Sequence, residues 1–135
     1  MKKVFFPLIL LLILPTAARA QEQEDPCPEA ETTVEINQCL KQRYEQADAE
    51  LNRVYRVVTA HIDEADSMPA ETRQQWKNQL REAQRHWIAF KETDCLEVVA
   101  YEWWQGSGAT AATLGCMIEK TESRTNALKE RYGIE

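Results

Sequence analysis

The sequence predicts an all-α protein: an elongated, antiparallel three-helix bundle that runs up, down and up and is stapled by two disulfides. Three observations predict it. Apolar residues recur at steps of three and four over three stretches of the chain, which is the spacing of a buried helix face. No stretch alternates apolar and polar residues over the length of a strand. Four cysteines can form the two disulfides, and 135 residues fit one domain.

The amino terminus has the pattern of a secretory signal peptide, which we place at residues 1–20. Lys2 and Lys3 precede an apolar run from Val4 to Leu14. Small residues, Ala18 and Ala20, occupy the two positions before the expected cleavage that a signal peptidase reads. The run is about a dozen residues, too short for a bilayer span of ~20 residues. We therefore expect a periplasmic or secreted protein that has no membrane anchor after cleavage. An irregular acidic lead-in is predicted at residues 21–31.

The charge of the mature chain excludes one class of partner. Cleavage would remove three of the 16 basic residues and none of the 22 acidic ones, leaving a net charge of −9. Proteins that bind nucleic acid gain most of their affinity from basic side chains on the phosphate backbone. We therefore expect no nucleic-acid partner.

The first helix is predicted to begin after Thr32, because Thr32 and Glu35 have the spacing of a capping box. A polar segment ending at Pro69 separates it from the second helix, since proline suits a first helical turn. The predicted inner face of the first helix is Ile36, Leu40, Tyr44, Ala47, Leu51, Val54, Val58 and Ile62.

The second helix is predicted to run from Pro69 to about Trp104, a length of about 50 Å, and residues 105–108 form the one strong loop signal. Gly133 is the expected carboxyl cap of the third helix. The predicted inner face of the second helix is Trp76, Leu80, Ala83, Trp87, Phe90, Asp94, Val98 and Tyr101. That of the third is Leu114, Met117, Ile118, Thr121, Thr125, Leu128 and Tyr132.

We expect the four cysteines to form two disulfides, because the thiols of exported proteins oxidise. The cysteines are spaced too widely along the sequence for a zinc site, which usually contains close pairs. Cys95 and Cys116 lie symmetrically about the predicted turn, at the same level of adjacent antiparallel helices. This favours Cys95 with Cys116, and Cys27 with Cys39. Three pairings remain possible in principle, because Cys39 also lies near the level of Cys95. We expect neither a metal nor a cofactor.

No group of residues predicts catalysis, and we expect the protein not to be an enzyme. Glu82 precedes His86 by one helical turn, a spacing more typical of an exposed ion pair than of a catalytic dyad. The carboxylates of Glu92, Asp94 and Glu97 are explained by a solvated helix face. Asp94 is placed inward and needs a partner; Arg124 is the candidate, although its spacing disfavours direct contact.

The aromatic group beside the glycine loop is the best candidate for binding. Trp103 and Trp104 cannot both point into a helical core, so at least one should be exposed or packed over the loop. Exposed tryptophans anchor protein interfaces, but a tryptophan that closes the end of the bundle is an equal alternative. The candidate binding residues are Trp103, Trp104, Gln105 and Ser107.

Several motifs of the chain occur together in one known family. They are Cys27, Glu35 and Cys39; the segment Ala47–Tyr55; Ala83–Trp87 with Phe90, Lys91, Asp94 and Cys95; and Gly108, Cys116, Thr121, Arg124 and Leu128. In this order they resemble the lysozyme inhibitor LprI-like domain family. The likeness covers nearly all of the mature chain, and we place the helical domain at residues 32–135. The chain departs from the family at Lys91, where arginine is common, and in lacking a lipoprotein signal.

The resemblance implies a protein that binds and inhibits lysozyme, a strongly basic glycosidase. The expected partner is lysozyme or a related muramidase, and the expected contact is the loop from Trp103 to Gly108, because a narrow projecting loop can enter a groove. The alternative is a non-catalytic adaptor or structural module that binds another envelope protein along a helix face.

Overall fold

The computed structural model describes residues 26–135, which form four α-helices and one π-helical segment and contain no strand. The all-α class is confirmed. The helices are α1 (Thr33–Asp63), α2 (Ala70–Glu92), α3 (Val99–Glu102) and α4 (Ala109–Tyr132), and the π-helical segment is Thr93–Val98. The signal peptide predicted at residues 1–20, and residues 21–25 of the lead-in, lie outside the described residues. Among the described helices, none is both long and apolar enough to cross a bilayer.

The first helix begins with the predicted capping box. The Thr32 hydroxyl accepts a hydrogen bond from the Glu35 N–H at 3.2 Å, and the Glu35 carboxylate accepts one from the Thr32 N–H at 2.9 Å. Hydrogen bonds from the backbone and side chain of Thr32 lower the pKa of Glu35. The box satisfies amide donors that have no partner within the helix, and this fixes where α1 begins.

The core consists of two clusters along the bundle. The larger one combines the second half of α1 with Leu80 of α2 and Leu128 of α4, and the smaller one contains Cys27, Leu40 and Ile118. The inner faces predicted for α1 and α4 agree with these clusters. The buried residues of those two faces are Leu40, Leu51, Val54, Val58, Ile62, Met117, Ile118, Thr121, Thr125 and Leu128.

Leu80 lies in the larger core cluster and Trp87 packs against it, as predicted for the inner face of the second helix. The prediction is wrong at Phe90. Phe90 is 57% exposed, whereas Lys91 is only 2% exposed. The Lys91 ammonium lies 5.1 Å from the ring centroid of Tyr44 and 5.0 Å from that of Trp87, and it donates a hydrogen bond to the Tyr44 hydroxyl at 3.1 Å. Two aromatic faces and one hydroxyl stabilise the buried cation. An apolar pattern cannot identify a lysine as a core residue.

The second helix does not continue unchanged to Trp104 as predicted. It passes from α2 into the π-helical segment and ends with the short helix α3. A π turn takes an additional residue, so it rotates the side chains that follow it relative to an α-helical pattern. Val98 and Tyr101, predicted to point inward, are consequently 47% and 71% exposed. The third helix ends as predicted, with Gly133 at a φ of 63°.

Both disulfides form, with the pairing that the sequence favoured. Cys27 is bonded to Cys39, and Cys95 to Cys116, with Cα–Cα distances of 6.2 and 5.6 Å. The first bond ties the segment that precedes α1 to the second turn of that helix. The second bond ties the π-helical segment to α4.

The predicted pairing of Asp94 with Arg124 is wrong. Lys120 lies one turn closer to the loop, and its ammonium is 2.9 Å from the Asp94 carboxylate. Arg124 instead donates a hydrogen bond to the Gln84 side chain at 3.0 Å. Burial lowers the pKa of Arg124, as does the charge of nearby Arg131.

The Glu50 carboxylate of α1 forms an ion pair with Lys129 of α4, which links the two helices. The carboxylate lies 2.6 Å from the Arg53 guanidinium and 2.8 Å from the Lys129 ammonium. Hydrogen bonds from Arg53 and then Lys129 lower the pKa of Glu50 from 4.5 to about 2. A lowered pKa in the folded state stabilises the fold at pH values above 4.5, and this contribution is lost as the pH falls from 4.5 toward about 2.

We predict that Glu50→Gln lowers the melting temperature near neutral pH and that the difference from wild type shrinks as the pH falls below 4.5. Circular dichroism melts across this range measure it. Glu130→Gln is the matched control, because Glu130 is an exposed α4 carboxylate without an ion pair in the described chain. A difference for Glu50→Gln that does not change with pH would contradict the assignment.

Candidate functional site

The connection between α3 and α4 is a tight loop closed by its own backbone. The Trp104 N–H donates a hydrogen bond to the Tyr101 carbonyl at 2.9 Å, and the Gln105 N–H donates one to the Ala100 carbonyl at 3.0 Å. These bonds turn the chain within a few residues of the end of α3. We call residues 103–108 the apex loop.

The apex loop holds two large residues in left-handed backbone conformations. Trp104 has a φ of 54° and Gln105 a φ of 52°, and no other non-glycine residue between positions 26 and 135 has a positive φ. A bulky residue rarely adopts this conformation, and each such residue costs about 1 kcal/mol or more. Gly106 and Gly108 do not have positive φ values. The sequence predicted the loop correctly but gave no sign that the strain falls on Trp104 and Gln105.

The two tryptophans of the apex loop differ in their surroundings. Trp103 is 53% exposed, whereas Trp104 is 92% exposed. The Trp103 ring lies across Gly108, where a Cβ atom would come within 2.8 Å of two ring carbons. The expectation that at least one tryptophan is exposed is confirmed. Trp103 covers the loop, and Trp104 projects into solvent.

An open groove of about 1020 Å³ lies beside the apex loop. The first turns of α1 form one wall, the π-helical segment and α3 form another, and the start of α4 forms the third. We call it the apex groove. Its lining residues are Asn37, Gln38, Lys41, Leu96, Glu97, Ala100, Tyr101, Gln105, Gly106, Ala109, Thr110, Thr113 and Leu114.

The candidate binding residues all lie in the apex loop. Trp103, Trp104, Gln105 and Ser107 are all exposed, and Gln105 also lines the apex groove. The sequence analysis missed the groove itself, because its α1 wall is brought to the loop only by helix packing. Asn37 is the clearest missed residue: its side-chain oxygen is buried and accepts no hydrogen bond from the described residues.

The candidate catalytic groups have other partners. Glu82 pairs with Arg85 at 3.2 Å rather than with His86, and Asp94 pairs with Lys120. One group of potential metal ligands was found in residues 26–135, in which atoms of Asp94, Cys95 and Cys116 lie within 4.8 Å of one another. Its two sulfur atoms are bonded to each other, so they are not the thiolates that bind metals.

The fold and the apex loop define a small, disulfide-bonded, all-α protein with an exposed aromatic loop. The chain belongs to the family described as Lysozyme inhibitor LprI, which matches residues 24–128. The resemblance seen in the sequence is therefore confirmed. The family takes its name from the inhibition of lysozyme.

Two relatives extend the comparison. The chain is 36% identical over 126 residues to the uncharacterized protein R02472 of Rhizobium meliloti (strain 1021), covering 91% of this chain and 90% of the relative. It is 30% identical over 100 residues to the uncharacterized protein YecT of Escherichia coli (strain K12), covering 70% of this chain and 60% of that relative. No solved structure matches the chain.

The contact between Trp103 and Gly108 gives a prediction about the loop. In Gly108→Ala, the added Cβ would overlap the Trp103 ring, so we expect the ring to move and the indole N–H resonance of Trp103 to shift. Gly115→Ala is the matched control, since a Cβ there has no neighbour within 4 Å and alanine stabilises a helix by about 0.5–1 kcal/mol relative to glycine. A Trp103 resonance unchanged in Gly108→Ala would show that the ring does not lie across this glycine.

Proposed function

We propose that this protein binds and inhibits lysozyme or a related muramidase, without catalysis and without a cofactor. Membership of the Lysozyme inhibitor LprI family carries the proposal. The apex loop supports it physically, because Trp104 is almost fully exposed on a short, hydrogen-bonded turn. A rigid aromatic side chain of this kind loses little conformational entropy on binding.

The proposed contact consists of Trp103, Trp104, Gln105 and Ser107. A glycosidase binds its substrate in a cleft, and a single turn between two helices is narrow enough to enter one, whereas the sides of a helical bundle are not. The left-handed backbone at Trp104 and Gln105 supports this role, because backbone strain in an otherwise regular fold is concentrated at functional sites.

We further propose the up-down-up, antiparallel order of the three long helices, which contacts between them support. Tyr44 of α1 contacts Lys91, and Asp63, further along α1, pairs with Lys77, which is earlier in α2. Contacts of α4 with the second helix run the same way: Asp94 pairs with Lys120, and the earlier Gln84 binds the later Arg124.

The proposed location is the periplasm or the exterior, after cleavage of residues 1–20 near Ala20. Two disulfides and no free cysteine in the described chain support an oxidising compartment, because cytosolic thiols are kept reduced. The mature protein would then consist of a short acidic lead-in followed by the helical domain of residues 32–135.

A second candidate function is a non-catalytic adaptor that binds another envelope protein along a helix side. The specific observation in its favour is apolar surface outside the apex loop and the apex groove, where Phe90 is 57% exposed and Val98 is 47% exposed. A pull-down from periplasm separates the two functions: a non-hydrolase partner, recovered by a protein that leaves lysozyme active, would favour the adaptor.

We predict that the oxidised mature protein, in molar excess, slows cell-wall lysis by a basic c-type lysozyme. Trp104→Gly should weaken this inhibition about 30-fold, the loss expected for a central interface tryptophan. Glycine fits the left-handed backbone at position 104, so this variant should fold as wild type does.

Val57→Ala, which removes part of a 38% exposed side chain toward the carboxyl end of α1, should inhibit as wild type does. Undiminished lysis in the presence of wild type would remove the proposed function. Equal inhibition by wild type and Trp104→Gly would keep the function but remove the proposed contact.

A further inference from the structure

Uncharged polar side chains form the largest group in the lining of the apex groove. The amides of Gln38 and Gln105 and the hydroxyl of Thr110 belong to exposed residues of this lining. None of these three side chains forms a hydrogen bond with another residue between 26 and 135. Amide and hydroxyl groups both donate and accept hydrogen bonds, so the groove offers free donors and acceptors to a ligand.

The charged side chains of the lining balance each other. Glu97 and Lys41 are the only charged residues among those that line the groove. The Lys41 side chain is 70% exposed, and its ammonium lies 4.0 Å from the Glu45 carboxylate. Nucleic acids bind rows of basic side chains, and strongly charged peptides need a surface of opposite charge. The lining therefore favours a ligand that is polar and nearly neutral.

Apolar surface lies among these polar groups. Tyr101 is 71% exposed and Leu96 is 50% exposed, and both line the groove together with Ala100 and Leu114. An aromatic ring carries negative charge on its faces, to which the polarised C–H bonds of a sugar ring are attracted. The exposed tyrosine is a second, independent feature that suits a carbohydrate.

The architecture around the groove disfavours a peptide ligand. A peptide strand binds to the edge of a sheet, and residues 26–135 form no strand. A peptide helix needs a groove that is apolar along its length, whereas most of the lining residues here are polar or charged. A ligand that carries hydroxyl groups along its whole length meets neither difficulty.

We propose that the apex groove binds an oligosaccharide of N-acetylated amino sugars. Its hydroxyls contact Gln38, Gln105 and Thr110, and the C–H face of one ring stacks on Tyr101. An acetamido group joins an amide to a methyl group, which matches the glutamine amides and the leucine side chains of the lining. The groove volume of about 1020 Å³ lies at the upper end of the range for ligand sites, about 300–1,000 Å³, so it accommodates more than one sugar ring.

Two sources share this chemistry. Chitin-type oligosaccharides are neutral, whereas the glycan strands of peptidoglycan, once freed of peptide, carry a lactyl carboxylate on alternate sugars. Lys41 is the one cation of the lining and is a partner for that carboxylate only. Affinities for the two ligands, with and without the Lys41 charge, therefore distinguish the sources.

A titration of the ¹⁵N-labelled, oxidised mature protein tests the site without lysozyme, so its result is independent of the proposed inhibition. The ligands are tetra-N-acetylchitotetraose and a peptide-free tetrasaccharide of peptidoglycan. The control is cellotetraose, which has the same linkage but no acetamido groups. We expect the backbone amide resonances of Tyr101, Gln105 and Thr110 to shift with the N-acetylated ligands and to stay in place with cellotetraose. No shift with either N-acetylated ligand, shifts confined to other residues, or equal shifts with cellotetraose would overturn the site.

Variants locate the contact. Tyr101→Ala should weaken binding about tenfold, the loss of roughly one stacking contact, whereas Tyr101→Phe keeps the ring and should retain most of the affinity. Phe90→Ala is the matched control, because Phe90 is an exposed aromatic residue that does not line the groove. Wild-type affinity in both Tyr101→Ala and Gln38→Leu would overturn the proposal.

Lys41→Gln distinguishes the two sources. If wild type binds the peptidoglycan tetrasaccharide more tightly than chitotetraose and Lys41→Gln removes the difference, the ligand is peptidoglycan. Equal affinities for the two ligands that are unchanged in Lys41→Gln support the site with a neutral, chitin-type ligand.

Discussion

The Cys95–Cys116 disulfide is the constraint on which the apex-loop end of the bundle depends. Cys95 is fully buried and lies in the π-helical segment, and its partner lies in the second turn of α4. The bond therefore clamps the two elements that flank the apex loop. It closes a loop of about 20 residues, and a cross-link of that span stabilises a fold by about 3 kcal/mol. The strain at Trp104 and Gln105 is tolerated because the flanking helices cannot separate.

The proposed contact depends on the aromatic surface at this end of the molecule. Trp104 offers a large apolar surface, which contributes to affinity when it is buried in a partner. The short, hydrogen-bonded turn holds this side chain out from the bundle, so ordering it on binding costs little conformational entropy. The net negative charge of the mature chain, −9, acts over a longer distance and would orient a basic partner before contact.

Sequence reasoning succeeded where local rules decide the structure. The capping box at Thr32 fixed the start of α1, and equal distances from the turn identified Cys95 and Cys116 as a pair. It failed where contacts between helices override the local pattern: Lys91 is buried because aromatic rings of α1 and α2 surround it. The π-helical segment and the groove likewise depend on packing between distant segments, so neither follows from apolar spacing.

Amide hydrogen exchange of a Cys95→Ala/Cys116→Ala variant tests the central claim most directly. The account predicts faster exchange in the π-helical segment, the apex loop and the first turns of α4, with protection retained around Val58 and Leu128 in the larger core cluster. Cys27→Ala/Cys39→Ala, which opens the other disulfide, should leave the apex loop protected. Unchanged exchange at the apex loop without the Cys95–Cys116 bond would contradict the account.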